Sequence, residues 1–479
     1  MHQLRTRVAA FFVGIGLIVS VVPVRAGVTY IGDVIIAGNG TDKSGLPATI
    51  LEDGKSPANA LNGFESGLAY AGNGIFYALA DRGPNKVAYT NGAAVDNTTS
   101  YPNRYQQFQI SATPVGSLGP DGKFASYNLQ ATNIGTILLH NAQGAQYLGI
   151  STGFSTNPAV ANTRLDSEGI AVAPDHTIWI SDEYGPYILH FDEQGHQIGS
   201  LTLPPGFQVA TPGPTANSEL VNTTGRTTNR GMEGLAISPD GKTLVGMMQS
   251  SLIQDGGLNG INDRVLVYDL TNPSAAPKQF VYQLDSKATP ISELVAINSH
   301  QFLVDERDGN GGANGIKLLY EIDLNQANPP TDLTSTAFSG TTANNGLPAT
   351  SLPQGITPLH KTLFANIGQI LNSASPTPFS DINGLNGLPD KIEGYAWGPD
   401  LPDGRHLLLA TNDNDFAQSA IRGYPNYIFA FAVDPADVPG FQPESFVPEP
   451  GTLPLFAVGA LLLTGWSWRR RQCLVQATG

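Results

Sequence analysis

Carboxylates recur along this chain at two fixed points of a repeated phrase. A glutamate heads a short apolar run in Glu168-Gly169-Ile170-Ala171, Glu233-Gly234-Leu235-Ala236 and Glu393-Gly394-Tyr395-Ala396. Glu65-Ser66-Gly67-Leu68-Ala69 carries one extra residue, and Glu293-Leu294-Val295-Ala296 lacks the glycine. A second polar set follows a short way on, as Asp81-Arg82, Asp182-Glu183, Asp305-Glu306-Arg307 and Asp413-Asn414-Asp415, while Met248-Gln249-Ser250 departs from it. Crowded carboxylates repel one another, and the simplest remedy is a hard cation held through oxygen ligands. Calcium suits flexible carboxylate, amide and carbonyl donors. Once bound, it can polarise an ester oxygen and lower the pKa of an attacking water. Arg82 and Arg307 add guanidinium groups that grip a carboxylate or phosphate bidentately. The candidate catalytic residues are therefore Asp81, Arg82, Asp182, Glu183, Asp305, Arg307, Asp413 and Asp415. The candidate metal ligands are Glu65, Glu168, Glu233, Glu293 and Glu393. Each glutamate has an equally good structural use, accepting backbone N–H groups from a neighbouring repeat, and surface ion pairing would also explain the second set.

The elements that must position these groups can be read from one repeat. Gly169–Ala173 reads as a strand, Pro174-Asp175-His176 as a turn, Thr177–Ile180 as a second strand and Ser181–Pro186 as a loop. Tyr187–Phe191 and Gln197–Leu201 supply third and fourth strands around the turn Asp192–Gly195. Short β-rich runs bounded by Gly, Pro, Asn and Asp make hairpin meanders. The next copy repeats the order through Ser238-Pro239-Asp240-Gly241, Thr243–Met247, Arg264–Tyr268 and Gln279–Leu284. Four antiparallel strands per unit, with units in series, predict an all-β fold, a β-propeller. Five four-stranded blades are recognisable, and the wide gaps Glu65–Glu168 and Glu293–Glu393 leave room for a sixth. Residues 330 to 390, rich in Ser, Thr, Asn, Gly and Pro, read as an insertion with a helix near Leu359 to Leu371. Val28 to Ala37 alternates like an outer strand that closes the last blade. A β-sandwich of similar meanders is the competing architecture, but it needs no recurring Glu-Gly phrase. In the propeller the glutamates should face the central channel, and the loops after each second strand should meet on one rim.

Both ends carry address labels. Arg5 and Arg7, the apolar run Val8 to Val22 and Val24-Arg25-Ala26 describe a cleaved secretory signal over residues 1–26. The main domain spans residues 27–446. Residues 447–479 hold Val447-Pro448-Glu449-Pro450, an apolar run Leu453 to Trp468 and Arg469-Arg470-Arg471. That order resembles the PEP-CTERM sorting tail of Gram-negative envelope proteins. The resemblance implies transient membrane association, cleavage by an exosortase-type enzyme near Pro-Glu-Pro and release outward. An ordinary membrane anchor is the alternative, although about 16 apolar residues is short for a span. The only cysteine, Cys473, lies in this tail, so no disulfide is expected in the main domain. A net charge of −15 and a pI of 4.8 exclude nucleic acid as a partner.

Other motifs are weaker. Gly149-Ile150-Ser151-Thr152-Gly153 fits a nucleophile-elbow pattern, but no helix pattern follows it. Asp308-Gly309-Asn310-Gly311-Gly312 hints at a calcium loop without the distal glutamate. Neither a His-Glu-x-x-His motif nor a phosphate loop is present, and the 8 histidines are scattered.

Five ordered phrases together carry a resemblance. They are Asp81-Arg82-Gly83-Pro84-Asn85, Asp166–Ala171, Ser181–Pro186, Asn229–Ala236 and Lys391–Ala396. They resemble the phytase-like family labelled "esterase-like activity of phytase", over about residues 30 to 435. The resemblance implies a secreted hydrolase of phosphoric or carboxylic esters and brings no catalytic residue set with it. Two function classes follow. One is a calcium-assisted esterase or phosphatase acting on a small ester at the propeller mouth. The other is a non-catalytic envelope propeller that binds extracellular polysaccharide or a surface protein. The acidic charge favours a neutral ester over a polyanion unless metal screens the site.

Overall fold

A computed structural model describes residues 27–85, 98–150, 163–212, 219–379, 387–417 and 425–447. Twenty of its strands form five four-stranded antiparallel sheets. Blade 1 is β4 (Gly67–Tyr70), β5 (Ile75–Leu79), β6 (Arg104–Val115) and β7 (Ser126–Leu138). Blade 2 is β8 (Ser167–Val172), β9 (Ile178–Asp182), β10 (Ile188–Phe191) and β11 (Gln197–Ser200). Blade 3 is β12 (Met232–Ile237), β13 (Thr243–Met248), β14 (Asn262–Asp269) and β15 (Lys278–Gln283). Blade 4 is β16 (Ile291–Ala296), β17 (Gln301–Arg307), β18 (Lys317–Asp323) and β19 (Lys361–Asn366). Blade 5 is β20 (Ile392–Trp397), β21 (His406–Asn412), β22 (Asn426–Val433) and β1 (Val28–Ile36). The remaining pair, β2 (Gly40–Thr41) and β3 (Ala60–Leu61), forms a small separate ribbon. The inner strands β4, β8, β12, β16 and β20 touch in a closed ring, so the molecule is a five-bladed propeller.

The expected closure by the chain's beginning is present. β1 pairs antiparallel with β22 from Val28↔Val433 to Ile36↔Asn426, with a bulge at Gly32. Gly32 has φ +155°, and a Cβ there would stand 2.4 Å from the Tyr127 carbonyl of the neighbouring blade. Each blade buries both faces, which is why its middle strands read as unbroken apolar runs. Leu407 and Leu409 pack toward blade 1, whereas Leu408 and Ala410 of the same strand pack toward blade 4. Five such inter-blade cores run around the ring.

The five blades are as expected, and among the described residues no sixth forms in the room left for it: the first wide gap holds the long β6–β7 hairpin, and the second holds residues 324–360 between β18 and β19. That insertion packs over blade 3, where Asn262 Nδ2 donates to the Pro348 (2.6 Å) and Ser351 (2.9 Å) carbonyls. One expectation needs correction. The helix expected over Leu359–Leu371 is mostly β19, followed by the short helix α1 (Ile367–Asn372). Blade 4 needs a fourth strand, and that tertiary demand overrides the local preference.

The end of the channel opposite the glutamates is crossed by residues 438–447. Gln442 N–H donates to Ile297 O (2.9 Å), and Val447 N–H donates to Pro174 O (2.8 Å). Phe441 packs on Trp397 and Phe446 stacks on His176. Glu444 thereby reaches a void of about 20 Å³ lined by Leu68, Ile170, Leu235, Leu294 and Tyr395 of the five inner strands. The apolar run Leu453–Trp468 lies outside the described residues, and among the described residues no helix is long and apolar enough to cross a membrane.

Candidate functional site

Each recurrent glutamate of blades 2 to 5 sits where its inner strand takes in an extra residue. Register slips by one between Ser167 and Ile170, Met232 and Gly234, Ile291 and Leu294, and Ile392 and Gly394. Such a bulge re-aims a side chain that a regular strand would direct into the blade interface. The glycine after the glutamate also has a physical reason. A Cβ on Gly67 would stand 2.4 Å from Glu168 O, and one on Gly169 would stand 2.7 Å from Glu233 O. The backbones of successive glutamates thus pass too close for a side chain. Ser181 Oγ donates to Glu233 O (3.0 Å) and Thr411 Oγ1 to Glu65 O (3.3 Å), tying one blade to the next.

Strand pairing decides which loop residues are equivalent. The inner and second strands align through the pairs Leu68↔Ala78, Ile170↔Ile180, Leu235↔Gly246, Val295↔Leu303 and Tyr395↔Ala410. Three residues further along the second strands stand Asp81, Glu183, Gln249, Glu306 and Asp413. Asp182 and Asp305 fall one residue earlier, on the opposite strand face. The sequence reading therefore merged two rings into one. Asp182 spends its carboxylate on the N–H groups of Asp166 (2.9 Å), Tyr184 (3.2 Å) and Gly185 (2.6 Å), which fixes the loop that carries Glu183. Asp305 is buried beside Arg307 and Lys317. Glu306 turns outward to the Tyr282 hydroxyl (2.6 Å) and the Lys361 ammonium.

The structure brings Asp81, Arg82, Glu183 and Glu168 together around Asp166, a residue absent from the sequence candidates. Arg82 donates to Asp166 from its backbone N–H (3.1 Å) and its guanidinium (2.7 Å), and lies 3.6 Å from Glu183. It also donates to the Asn229 amide oxygen. Single oxygens of Asp166, Glu168 and Glu183 lie within 4.8 Å of one another. Glu233 joins from blade 3, with one oxygen accepting from Gln249 Nε2 (2.6 Å) and the other without a hydrogen-bond partner among the described residues. Gln249 in turn accepts from Arg230 (2.6 Å).

The other candidates are engaged separately. Lys391 bridges Asp413 and Asp415, each at 2.7 Å. Arg307 pairs with Glu393 and donates to Ser292 Oγ (2.8 Å). Glu293 accepts from Leu294 N–H (2.8 Å) and, across the blade boundary, from Leu235 N–H (3.5 Å). That is the inter-blade use foreseen for these glutamates. Glu65 is 0% exposed, and neither of its oxygens has a hydrogen-bond partner among the described residues.

Burial and mutual repulsion give this cluster its electrostatics. Burial pushes Asp81, Glu168 and Glu183 well above the usual carboxylate range, with Asp413 adding to the rise of Asp81 and Glu233 to the rise of the other two. Burial lifts Glu65 likewise, with help from Asp413. Glu233 is pushed up to about 7 by burial, with Arg307 and Gln249 pulling the other way. Asp182 reaches about 7, again through burial, against its three backbone hydrogen bonds. Buried carboxyls that hold protons near neutral pH beside ionised neighbours are the raw material of acid–base catalysis.

Two weaker motifs have structural explanations. A Cβ on Gly149 would fall 1.6 Å from Arg82 O, and Gly149 O accepts from Tyr184 OH (3.0 Å), so this glycine seats the Arg82 loop. Ser151 itself lies outside the described residues. In the loop Asp308–Gly312 the place of a cation is taken by the Lys317 ammonium. It donates to Asp308 Oδ1 (2.9 Å) and to the carbonyls of Asp308 (3.1 Å), Asn310 (3.0 Å) and Ile316 (3.1 Å).

Sequence reasoning passed over Asp166, Asn229, Arg230, Gln249 and Lys391 as site residues. Four of the five stand inside the phrases that carried the family resemblance, shortly before the glutamates. Position within those phrases was the available signal.

Comparison with known proteins identifies relatives and a family. An uncharacterized secreted protein of Arthroderma benhamiae is 27% identical over 415 residues, which cover 72% of this chain and 78% of the relative. Among solved structures, a virginiamycin B lyase from Staphylococcus aureus is 10% identical with a TM-score of 0.29, covering 77% of this chain and 94% of that one. A PQQ-bound aldose sugar dehydrogenase from Streptomyces coelicolor is 13% identical with a TM-score of 0.29, covering 86% and 99%. These structural likenesses are too distant to bear on chemistry. A PEP-CTERM protein-sorting motif matches residues 446–471. It implies recognition by an exosortase-type processing system and supports export to the cell envelope or extracellular space. The Phytase-like family, described as "Esterase-like activity of phytase", matches residues 59–416, from β3 to the loop after β21, and the chain belongs to that family.

Proposed function

We propose that this protein is a secreted hydrolase of phosphoric or carboxylic esters whose site is the carboxylate-lined mouth of the propeller, and that a bound metal assists it. The observation that carries the reading is the gathering of Asp81, Asp166, Glu168 and Glu183 about the Arg82 guanidinium at one end of the channel. In this reading the Arg82 guanidinium turns from its carboxylates to the charge that develops on an ester oxygen. Asp81 carries the proton: ionised, it takes one from the attacking water, and protonated, it gives it to the leaving oxygen, while Glu183 and Asp166 hold the cation. A divalent cation at the mouth would supply Lewis-acid polarisation and a more acidic water. Export follows from a signal at residues 1–26, with exosortase-type cleavage near Pro448-Glu449-Pro450 at the envelope of a Gram-negative cell.

The test is a panel of p-nitrophenyl carboxylic esters and phosphates, assayed with millimolar calcium and with EDTA. Turnover that falls in EDTA supports the reading, and no turnover on any member refutes it. One observation favours a second reading. Arg82, Arg307 and Lys391 are all engaged by carboxylates, as suits a preformed surface for a neutral ligand. An extracellular polysaccharide is then the partner, and no ester is cleaved.

A further inference from the structure

The geometry points to one calcium-sized divalent cation bound off the propeller axis, between blades 2 and 3, by Asp166, Glu168, Glu183 and Glu233. This deepens the metal-assisted reading above and rests on it for its catalytic meaning, but it stands on its own geometry. The symmetric expectation was a ring of five glutamates. The structure separates that ring, because Glu393 is held by Arg307 and Glu293 by backbone N–H groups. Glu168 and Glu233 stand with Asp166 and Glu183 in one place, whereas Glu65 has Asp413 beside it and Glu293 has Asp305.

Three features of that place suit a cation. First, oxygens of Asp166, Glu168 and Glu183 lie within 4.8 Å of one another. Two ligands on opposite sides of a calcium at about 2.4 Å are about 4.8 Å apart, so all three fit one coordination sphere. Second, Glu233 is 3% exposed and keeps one oxygen without a hydrogen-bond partner among the described residues. Its charge is the leading like charge on both Glu168 and Glu183, so its carboxylate stands beside theirs. A buried polar atom left unpaired in a folded protein calls for an explanation, and a role as a cation ligand is one. Third, the acids outnumber the cations. Four carboxylates face the guanidiniums of Arg82 and Arg230. Asp81 beside them adds a fifth carboxyl, while Lys391 is shared by Asp413 and Asp415 and Arg307 is paired with Glu393. A divalent cation offsets part of that excess. Oxygen-only donors and irregular spacing favour calcium over magnesium, which demands a tighter octahedron.

Isothermal titration of chelator-treated full-length protein with calcium chloride tests the site without any substrate. We expect one binding event, weakened at least tenfold in Glu168→Gln and in Glu183→Gln, and unchanged in Asp240→Asn, which alters an exposed turn. Circular dichroism confirms that each variant folds, and terbium luminescence repeats the titration on any variant too dilute for calorimetry. No heat up to 5 mM calcium, or equal affinity in wild type and both glutamine variants, overturns the site. Calcium binding without ester cleavage would refute the hydrolase and leave the site standing; ester cleavage without calcium binding would do the reverse.

Discussion

Raising the pH should release the segment that closes the rear of the channel, with Glu444 as the trigger. Its carboxyl enters a space lined by Leu68, Ile170, Leu235, Leu294 and Tyr395, and its Oε2 has no hydrogen-bond partner among the described residues. Burial alone pushes its pKa up to about 8, from an ordinary value of 4.5. A carboxyl raised on docking favours the docked state fully below its free pKa, and that contribution is lost as pH rises through the docked pKa. The window is therefore pH 4.5 to 8. Every tenfold change in proton affinity is worth about 1.4 kcal/mol, so the ceiling is about 5 kcal/mol. Water following the ionised group into the channel reduces this to roughly 2–4 kcal/mol. Other titratable groups touching the segment are His176 and His406 at its ends and Tyr395 in the channel. Glu444→Gln leaves all three in place. Hydrogen exchange at the amides of Gln442 and Val447, corrected for intrinsic rates, reports the opening, because both are bonded across the segment. Protection in the wild type should drop by one to three orders of magnitude between pH 5 and 9 and stay level in Glu444→Gln. An identical pH profile in the two proteins would rule out Glu444 as the trigger.

Further expectations concern the frame of the site. Gly169→Ala pushes a methyl to 2.7 Å from Glu233 O, and thermal melts should show a loss of about 1–3 kcal/mol. Lys317→Ala leaves Asp308 and three carbonyls without their ammonium; chemical denaturation should register about 3–5 kcal/mol of destabilisation. Intact-mass measurement of exported protein should find residues 1–26 and everything beyond Pro448-Glu449-Pro450 removed, and a mature species that retains Trp466, Trp468 and Cys473 would contradict the sorting proposal.

The propeller was legible in the sequence because each blade repeats its turns and its glutamate at fixed points. The closing role of Val28–Ile36 was legible too, because its alternation fits an outer strand with one wet face. Loop equivalence was not legible. The chain between paired residues of the inner and second strands differs in length from blade to blade, as in Val295↔Leu303 against Tyr395↔Ala410, so only the strand pairing shows that Asp81 matches Glu183 and Asp413, not Asp182 and Asp305. Asp166 escaped notice for a related reason. The other copies carry Gly63, Gly231, Ile291 and Lys391 two residues before their glutamates, so repetition gives no signal there. Function in this propeller departs from its symmetry, and a repeat reveals only what the blades share. The lysine cage at Asp308 shows the converse. A loop composition suited to calcium was satisfied by an ammonium from a strand that local reading could not bring near.

Whether the mouth is a hydrolytic site built around Arg82 is decided by steady-state kinetics of Arg82→Lys and Asp81→Asn on the best ester of the panel. Melting temperatures are to be measured on the same samples, and Ser151→Ala serves as comparison. Lysine keeps the charge but loses the forked geometry, and asparagine keeps the size but loses the charge. A mechanism centred on Arg82 requires kcat/KM to fall by more than tenfold in both, with melting within a few degrees of wild type and Ser151→Ala active. Full activity in both mouth variants, with turnover abolished in Ser151→Ala, would contradict it.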